Sequence, residues 1–286
     1  MKTFGVGKRF LRLSGALCAV DGLLTAALGR RYVRLWRFGA DTSPYAWALD
    51  WLSDRPGWLL RAAGLAQAGL GLTLLGSAPV SVPAFYGASA GEYQKIETIW
   101  REWFYTDGHR ALDQAITEYL PLNGDVLDLA CGTGANLARI LDMGLPYGSY
   151  TGVDLTEQML AQARTKGSGH ETIRFRRMDL QTDALPGGPY DLVISTWAFE
   201  HLSDPASVVD KAWQVLRPGG YMVLLFEIST DFCWGKVVDR ILRFFSARHV
   251  PEGVWRGFPG LVEMTRYRGA FGDIGLFVLH KPVEEA

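Results

Sequence analysis

Residues 126–134 read V-L-D-L-A-C-G-T-G, and this stretch decides the fold. Apolar residues flank a single acid, Asp128, a pattern typical of a strand buried on both faces of a parallel sheet. The strand breaks at a turn that contains Gly132 and Gly134, and a helical pattern follows. Small residues let a ligand approach the backbone where a helix N-terminus presents free N–H groups. The stretch therefore predicts a nucleotide-type site.

Strand and helix patterns alternate from residue 125 onward. The predicted strands are 125–129, 149–154, 173–178, 192–195 and 222–227, and the helices between them are 135–141, 156–166 and 205–216. This alternation predicts an α/β fold with a doubly wound, mostly parallel sheet. Candidate strands near 261–267 and 276–280 add a terminal antiparallel hairpin. Upstream, we expect a linker at 77–91 and a helix over 92–120 that Gly108 breaks in two.

Charge is distributed unevenly along the 286 residues. The formal net charge is −1, which argues against nucleic acid as the main partner. Residues 1–85 hold ten Lys and Arg against four acids, a net charge of +6, which leaves −7 for residues 86–286. The three cysteines are widely spaced in apolar contexts, so the sequence indicates neither a disulfide framework nor a metal site. We expect a reducing, cytosolic setting.

The N-terminal 85 residues are apolar and basic. Residues 13–28 are almost entirely apolar, residues 30–38 interleave arginine with aromatics, and residues 57–76 form the longest apolar run. Gly64, Ala68 and Gly71 share one helical face, which permits close helix contact. This pattern predicts an apolar helical extension that associates with a membrane. The alternative is a set of buried helices in a soluble extension; Asp21 and the lack of a cleavage site argue against a signal peptide.

Polar residues follow successive predicted strands, where an open α/β sheet binds its ligand. Asp154 ends the second strand, Asp179 and Leu180 end the third, and Trp197 follows the fourth. A dinucleotide site would favour G-x-G-x-x-G, but the third glycine position is Leu137 here. An acid inside the first strand also has no role with a pyrophosphate. These features favour S-adenosylmethionine, which carries no phosphate, over a nicotinamide dinucleotide.

Residues 120–227 resemble the class I S-adenosylmethionine-dependent methyltransferases, in the group that includes quinone and lipid methyltransferases. The motifs are V-L-D-L-A-C-G-T-G, G-V-D-L-T-E-Q-M-L-A-Q-A, M-D-L-Q-T-D-A-L-P, Y-D-L-V-I-S-T-W-A-F-E-H-L-S-D and L-R-P-G-G. The resemblance implies a Rossmann-like, seven-stranded sheet whose antiparallel last strand lies between the fifth and sixth. It further implies these contacts: Asp128, Gly132 and Gly134 with the methionine end of the cofactor, Asp154 with the ribose, Asp179 and Leu180 with the adenine, and Trp197 near the sulfonium. Leu155 is a further predicted cofactor-binding residue.

Methyl transfer is an in-line displacement, so orientation of donor and acceptor supplies much of its rate. A general base is needed only where the acceptor must first lose a proton. Glu200 and His201, just beyond the fourth strand, are the candidates; Asp231, His109 and His249 are weaker ones. His201 also has an ordinary structural interpretation, as a residue near a helix that makes a structural hydrogen bond.

The acceptor is inferred from the segments expected to cover the cavity. They contribute aromatic residues at Phe85, Tyr86, Tyr93, Trp100, Trp103, Phe104, Tyr105, Phe232, Trp234, Phe244, Phe245, Trp255 and Phe258, although an aromatic stripe at helical spacing is more often core than part of a substrate site. Residues 232–248, within an insert or lid at 229–258, form a basic amphipathic helix suited to a membrane surface. Together with residues 1–85, this helix predicts a lipid, quinone or isoprenoid acceptor, methylated by a domain over 86–286.

The position of that domain constrains the attachment. A two-span hairpin would place the domain opposite its cytosolic cofactor, so monotopic or re-entrant attachment to the cytoplasmic face, or a single span at 57–76, fits better. Two alternatives remain open: a soluble small-molecule methyltransferase whose N-terminal helices act as a lid or dimer face, and a non-catalytic membrane adaptor that retains the cofactor fold.

Overall fold

The computed structural model describes residues 4–35, 54–74, 81–91, 93–99, 101–102, 105–228, 243, 246–268 and 273–283. The chain divides into two compact units, Met1–Ala78 and Pro79–Ala286, rather than after residue 85. The reason is helix Val82–Ser89, which lies in the predicted linker and packs against helix Glu157–Lys166 of the second unit. Pro83 lies in its first turn, where the missing proline N–H costs no hydrogen bond. The linker prediction was therefore wrong for residues 82–89.

The first unit contains helices α1 (Phe4–Leu28), α2 (Arg30–Leu35) and α3 (Gly57–Leu74). Helices α1 and α3 run antiparallel, with their backbones in direct contact. A Cβ atom on Gly64 would lie 2.4 Å from the carbonyl oxygen of Gly22, and one on Gly71 would lie 2.4 Å from the amide nitrogen of Ala19. The predicted small-residue face is thus the contact face, because only glycine and alanine permit this approach.

A polar cluster also joins these helices. The hydroxyl of Tyr32 donates to Oδ1 of Asp21 (2.7 Å), and the amide nitrogen of Gln67 donates to Oδ2 (2.6 Å). The acid that interrupts the apolar pattern of α1 is therefore hydrogen-bonded, as half-buried polar groups in proteins generally are.

Within the described residues, no helix is both long enough and apolar enough to cross a membrane. The described helix in the run 57–76, where a single span was considered, is among those that do not meet this requirement. Helix α3 has 18 residues, against about 20 for a typical span, and its polar residues Arg61 and Gln67 lower its hydropathy.

The second unit begins with helices α4 (Val82–Ser89), α5 (Tyr93–Ile99) and α6 (Thr106–Tyr119). The break expected at Gly108 is misplaced, because Gly108 lies inside α6. A Cβ atom there would come 2.4 Å from Cδ1 of Ile274, so glycine at this position permits close packing of the helix on the sheet. The interruption instead precedes Thr106, at the non-helical residue Tyr105.

The sheet has seven strands, as predicted. They are β1 (Gly124–Leu129), β2 (Tyr147–Asp154), β3 (Ile173–Arg177), β4 (Tyr190–Thr196), β5 (Leu216–Ile228), β6 (Leu261–Arg268) and β7 (Asp273–His280), in the order β3-β2-β1-β4-β5-β7-β6. Strand β7 is antiparallel to β5 and β6, and the other pairings are parallel. The doubly wound, mostly parallel sheet is confirmed, including the antiparallel strand between the fifth and sixth.

Three helices connect the parallel strands, close to their predicted bounds. They are α7 (Ala135–Asp142), α8 (Glu157–Lys166) and α9 (Pro205–Val215), and a short helix α10 (Glu252–Trp255) precedes β6. The register places Asp128 of β1 between Gly152 of β2 and Ile194 of β4. As a result, the carboxyl ends of β1, β2 and β4 meet at one edge of the sheet, where a parallel α/β sheet binds its ligands.

The core lies on both faces of the sheet and is aromatic near β5. Phe226 stacks between Phe199 and Phe277, at ring-centroid distances of 5.2 and 4.5 Å. Trp255 and Phe258 belong to the same buried cluster, so these two predicted cover residues are core instead. Most of the predicted helix 232–248 lies outside the described residues, and so do Trp100, Trp103, Phe104, Phe232, Trp234, Phe244 and Phe245.

Candidate functional site

The turn after β1 shapes one wall of a cavity at the carboxyl edge of the sheet. Its backbone is left-handed at Ala130, Gly132 and Gly134, with φ of 54°, 55° and 79°. Gly134 also approaches α8 closely, since a Cβ atom there would lie 3.3 Å from Cα of Ala163. The left-handed backbone of this turn leads the chain to the start of α7, and its small residues leave the cavity wall without bulky side chains.

Asp154 joins this turn to the end of β2. Its Oδ2 accepts from the backbone N–H of Gly132 (2.9 Å) and its Oδ1 from that of Thr156 (2.8 Å). Burial raises the pKa of this carboxyl, whereas the two backbone hydrogen bonds lower it. The side chain of Thr156 is also hydrogen-bonded to this carboxyl, and the lone pair that remains can accept from a hydroxyl group of a ligand in the cavity that Asp154 lines.

Most predicted cofactor residues line this one cavity. They are Gly132, Asp154, Leu155, Asp179, Leu180 and Trp197. Asp179 is held by the backbone N–H of Gln181, which donates to its Oδ1 (2.9 Å). Gly134 shapes the turn and is not part of the lining.

Asp128 lies one layer beneath the cavity. It is fully buried, its Oδ1 accepts from the side-chain amide of Asn136 (3.0 Å), and its Oδ2 accepts from the hydroxyl of Tyr150. Burial raises its pKa to about 7, although both hydrogen bonds oppose the shift. Its route to a ligand is through Asn136, which lines the cavity. Asp128 is thus a positioning residue in this structure.

Polar atoms around the turn suit a zwitterionic ligand. Oγ1 of Thr133, Oδ1 of Asn136 and Nε of Arg139 are buried and have no hydrogen-bond partner in the described part of the chain. All three residues line the cavity. Arg139 supplies a positive charge for a carboxylate, and the amide oxygen of Asn136 can accept from an ammonium group. These atoms fit the amino-acid end of S-adenosylmethionine, and Asp154 fits its ribose.

His109 and Trp197 form the wall near the end of β4. Arg139 donates to Nδ1 of His109 (2.6 Å), and the indole nitrogen of Trp197 lies 3.3 Å from Nε2. Burial, and then the charge of Arg139, lower the pKa of His109 to about 3, so its ring is neutral. A neutral imidazole here accepts a hydrogen bond from Arg139 and orients that side chain.

The two candidate bases point to different places. His201 lines the cavity: its Nε2 lies 2.8 Å from the hydroxyl of Tyr86, and its Nδ1 lies 3.4 Å from the carbonyl oxygen of Ser246. Glu200 is not in the lining. It is 5% exposed, and burial followed by the charge of Glu227 raises its pKa to about 8.

The weaker candidates behave differently again. His249 lies behind the cavity, with Nε2 4.0 Å from Oε2 of Glu227, whereas His109 lines the cavity. Asp231 lies outside the described residues. Among the residues described, no group of three or more His, Cys, Asp or Glu side chains could hold a metal ion.

Sequence reasoning did not identify Asn136, Arg139 or Tyr150 as site residues, and placed Tyr86 only among the aromatic cover residues. Asn136 and Arg139 carried a signal, because residues three apart in α7 share a face just after the glycine turn. Tyr86 carried no signal of a polar role, since its segment resembled a linker.

Comparison with known proteins agrees with this geometry. Residues 127–224 match the family model described as a methyltransferase domain. The protein YqeM of Bacillus subtilis, whose name describes it as a methyltransferase, is 28% identical to this chain over 190 residues. These residues cover 65% of this chain and 73% of that protein. The ubiquinone biosynthesis O-methyltransferase of Psychrobacter cryohalolentis is 29% identical over 142 residues, 48% of this chain and 54% of that protein. The match thus spans about half of the latter enzyme.

The fold recurs in solved structures. That of Haemonchus contortus phosphoethanolamine N-methyltransferase 2, in complex with phosphomonomethylethanolamine and S-adenosylhomocysteine, has a TM-score of 0.56 and 14% identity. The likeness covers 71% of this chain and 60% of that one, and it concerns the fold alone. Strand order, cavity residues and the family match agree: residues 127–224 belong to a class I S-adenosylmethionine-dependent methyltransferase domain, and S-adenosylmethionine is its cofactor.

Proposed function

We propose that the protein transfers a methyl group to a lipophilic acceptor, such as a lipid, quinone or isoprenoid, at the cytoplasmic face of a membrane. The observation that carries the proposal is the exposed surface of the helices in the first unit. Large apolar side chains are exposed there, Trp58 by 70%, Leu17 by 61% and Leu65 by 45%. Their exposure to water is unfavourable, and burial in the headgroup layer would relieve it.

Charge supports the same surface. Arg30, Arg31 and Arg61 are exposed in this unit, and residues 1–85 carry a net charge of +6. Basic residues beside exposed apolar ones favour anionic lipid, and each contributes about 1 kcal/mol near such a surface. The proposal is attachment to one face of the bilayer, through these helices and the predicted helix 232–248.

The cavity supports a lipophilic acceptor. Its lining includes Val82, Met178 and Leu202, besides the rings of Tyr86 and Tyr93. The ubiquinone biosynthesis enzyme described above is a relative whose name states a quinone pathway. Here the cofactor supplies an electrophilic methyl group, and the residues of this chain hold donor and acceptor in line and exclude water.

The test of attachment is co-sedimentation of the full-length protein with anionic vesicles. We expect the double substitution Trp58→Glu and Leu65→Glu to reduce vesicle binding about 10-fold or more, because each side chain contributes roughly 1.5–3 kcal/mol on burial. The matched control is Leu122→Glu, which changes a leucine that is 75% exposed in the second unit. Full-length protein that stays in the supernatant would contradict attachment.

The test of the acceptor uses a cofactor with a labelled methyl group and total membrane lipid extract. We expect label in the organic phase with the wild-type protein. Label that appears only in water-soluble acceptors, without lipid or detergent, would favour the soluble alternative, in which the N-terminal helices act as a lid or dimer face.

A further inference from the structure

A tyrosine–histidine pair lies in the cavity wall. The hydroxyl of Tyr86, from α4, lies 2.8 Å from Nε2 of His201, which follows β4. Nδ1 of His201 faces the carbonyl oxygen of Ser246 at 3.4 Å, and a carbonyl can only accept. The ring proton therefore lies on Nδ1. Nε2 must then be the acceptor, and Tyr86 donates its hydroxyl proton to it.

Tyr93 completes the arrangement from α5. Its hydroxyl is hydrogen-bonded to that of Tyr86, and the two ring centroids are 5.4 Å apart. Because the proton of Tyr86 is directed to His201, Tyr93 donates to the oxygen of Tyr86. A phenolic oxygen has two lone pairs, so one remains for a hydroxyl donor in the cavity. Tyr86 and His201 both line that cavity together with the cofactor residues.

Burial keeps the pair neutral. It lowers the pKa of His201 to about 4 and raises the pKa of Tyr86 well above its ordinary value. At cellular pH, Nε2 of His201 is therefore unprotonated and accepts the hydrogen bond from Tyr86, which retains its proton. The pair can accept one proton through Tyr86 and has none to release.

We propose that Tyr86 and His201 take the proton of a hydroxyl acceptor, so that the site methylates the oxygen of a phenol or alcohol. This inference rests on the proposed methyl transfer and specifies its acceptor. The acceptor O–H proton passes to the oxygen of Tyr86 while the Tyr86 proton passes to Nε2 of His201. The acceptor oxygen forms a bond to the methyl carbon, the carbon–sulfur bond breaks, and its electron pair stays on sulfur. His201 later releases its proton to water.

The charge balance explains how a buried histidine can serve here. Transfer removes the positive charge of the sulfonium and creates one on His201, so the net charge of the cavity does not change. The desolvation penalty that keeps His201 neutral is therefore offset during the reaction. Glu200 also acts on Tyr86, but it is largely neutral near pH 7 because burial raises its pKa to about 8. Two further carboxyl groups lie near the pair: Asp154 acts on Tyr86, and Glu97 acts on Tyr93. Their charged forms stabilise an imidazolium.

The test compares two acceptors with the same alkyl chain, a 4-alkylphenol and the corresponding thiophenol. The thiophenol is ionised near neutral pH and needs no base, whereas the phenol does. We expect Tyr86→Phe to lower kcat on the phenol about 100-fold, a typical contribution of general base catalysis, and to leave kcat on the thiophenol nearly unchanged. Loss of activity on both acceptors, or on neither, would overturn the inference.

The chain offers a matched control. The hydroxyl of Tyr147 lies 3.3 Å from Nδ1 of His170 in an exposed pair outside the cavity. Tyr147→Phe removes an equivalent hydroxyl and should change neither rate. Calorimetry with S-adenosylhomocysteine checks that Tyr86→Phe still folds and binds the cofactor product with wild-type affinity.

A second readout does not depend on turnover. Nitrogen NMR of the full-length protein should show His201 neutral, protonated on Nδ1, with an Nε2 resonance that shifts in Tyr86→Phe. A proton on Nε2 would overturn the inference whatever the acceptor. Wild-type turnover of the thiophenol alone would overturn it too, yet leave methyl transfer to lipophilic acceptors standing. Turnover of neither acceptor would count against the proposed function, while the NMR result still decides the pair.

Discussion

The cofactor side and the acceptor side of the cavity are built in different ways. On the cofactor side, Asp154 ends β2 and binds the backbone of Gly132, at the end of the adjacent strand β1. On the acceptor side, Tyr86 and His201 are 115 residues apart in sequence and meet through the packing of α4. The first side depends on strand ends in register, and the second on a helix packed over the sheet edge.

This difference matters for interpreting variants. A change on the cofactor side disturbs a turn whose backbone N–H groups are tied to a carboxylate, so binding and local structure change together. A change on the acceptor side removes one hydroxyl or one ring nitrogen and leaves the sheet intact. Cofactor affinity should therefore separate the two sides.

The largest effect is expected for Asp154→Ala. It removes the acceptor for the N–H groups of Gly132 and Thr156, and with it the carboxylate that we propose for the ribose hydroxyls. Hydrogen bonds to charged groups contribute about 1.5–3 kcal/mol each, so the affinity for S-adenosylmethionine measured by calorimetry should fall about 100-fold or more. The control is Asp204→Ala, which removes the acceptor for the N–H of Ser207 at the N-cap of α9. It should cost about 1 kcal/mol of stability without changing affinity.

An intermediate effect, on stability, is expected for Asp128→Asn. The pKa of Asp128 is raised to about 7 in the folded protein, so the native state binds a proton that the unfolded state releases at lower pH. Its contribution to stability is present below about pH 4 and is lost as the pH rises through about 7. The variant lacks this titration, and its stability should depend less on pH in that window, by on the order of 1.4 kcal/mol per pKa unit.

Urea unfolding between pH 4 and 8 measures that difference. The substituted amide can still accept from Tyr150, and its NH₂ group can donate to Oδ1 of Asn136, which has no partner in the described residues. Identical pH profiles of stability for the variant and the wild type would show that Asp128 is an ordinary, fully ionised carboxylate.

The smallest effect on catalysis is expected for Glu200→Gln. Glu200 does not line the cavity, so kcat on the phenol should stay near the wild-type value, in contrast to Tyr86→Phe. Its pKa is raised to about 8, so the wild type should lose stability as the pH rises toward 8, and the variant should lose less. A large fall in kcat at constant cofactor affinity would contradict this expectation and show that Glu200 acts on the acceptor side.

Local sequence signals mark the residues of the proposed cofactor side. The turn at Gly132 and Gly134, the acid Asp154 and the pair Asp179 and Leu180 all follow strands whose apolar residues mark them. Parallel strands bring their carboxyl ends together by geometry, so these residues converge without further information. Asp128 was predicted as a site residue, but its position one layer beneath the cavity was not. The apolar pattern does not reveal which face of a strand covered on both sides is nearer the cavity.

The acceptor side depended on packing that no local pattern records. Tyr86 lies in a segment rich in Gly, Ser and Pro, a composition typical of a linker. In the structure this segment is helix α4, which packs against α8. Glu200 and His201 are neighbours in a short helical turn, and only its orientation directs one into the cavity and the other toward Glu227. Trp255 and Phe258 had the composition of a cover but pack in the core.

Periodicity, which acts over a few residues, predicted the alternation of strands and helices and the terminal hairpin, and the glycine turn with the acids at strand ends favoured the cofactor. The place of the antiparallel last strand, between the fifth and sixth, was implied by the family resemblance. The tertiary structure alone decided which polar groups face the cavity, since that depends on side chains brought together from distant segments. The close contact of α1 and α3 depends on both sequence and structure. Small residues in the sequence predict the contact, and the structure shows which backbone atoms meet, such as the carbonyl oxygen of Gly22.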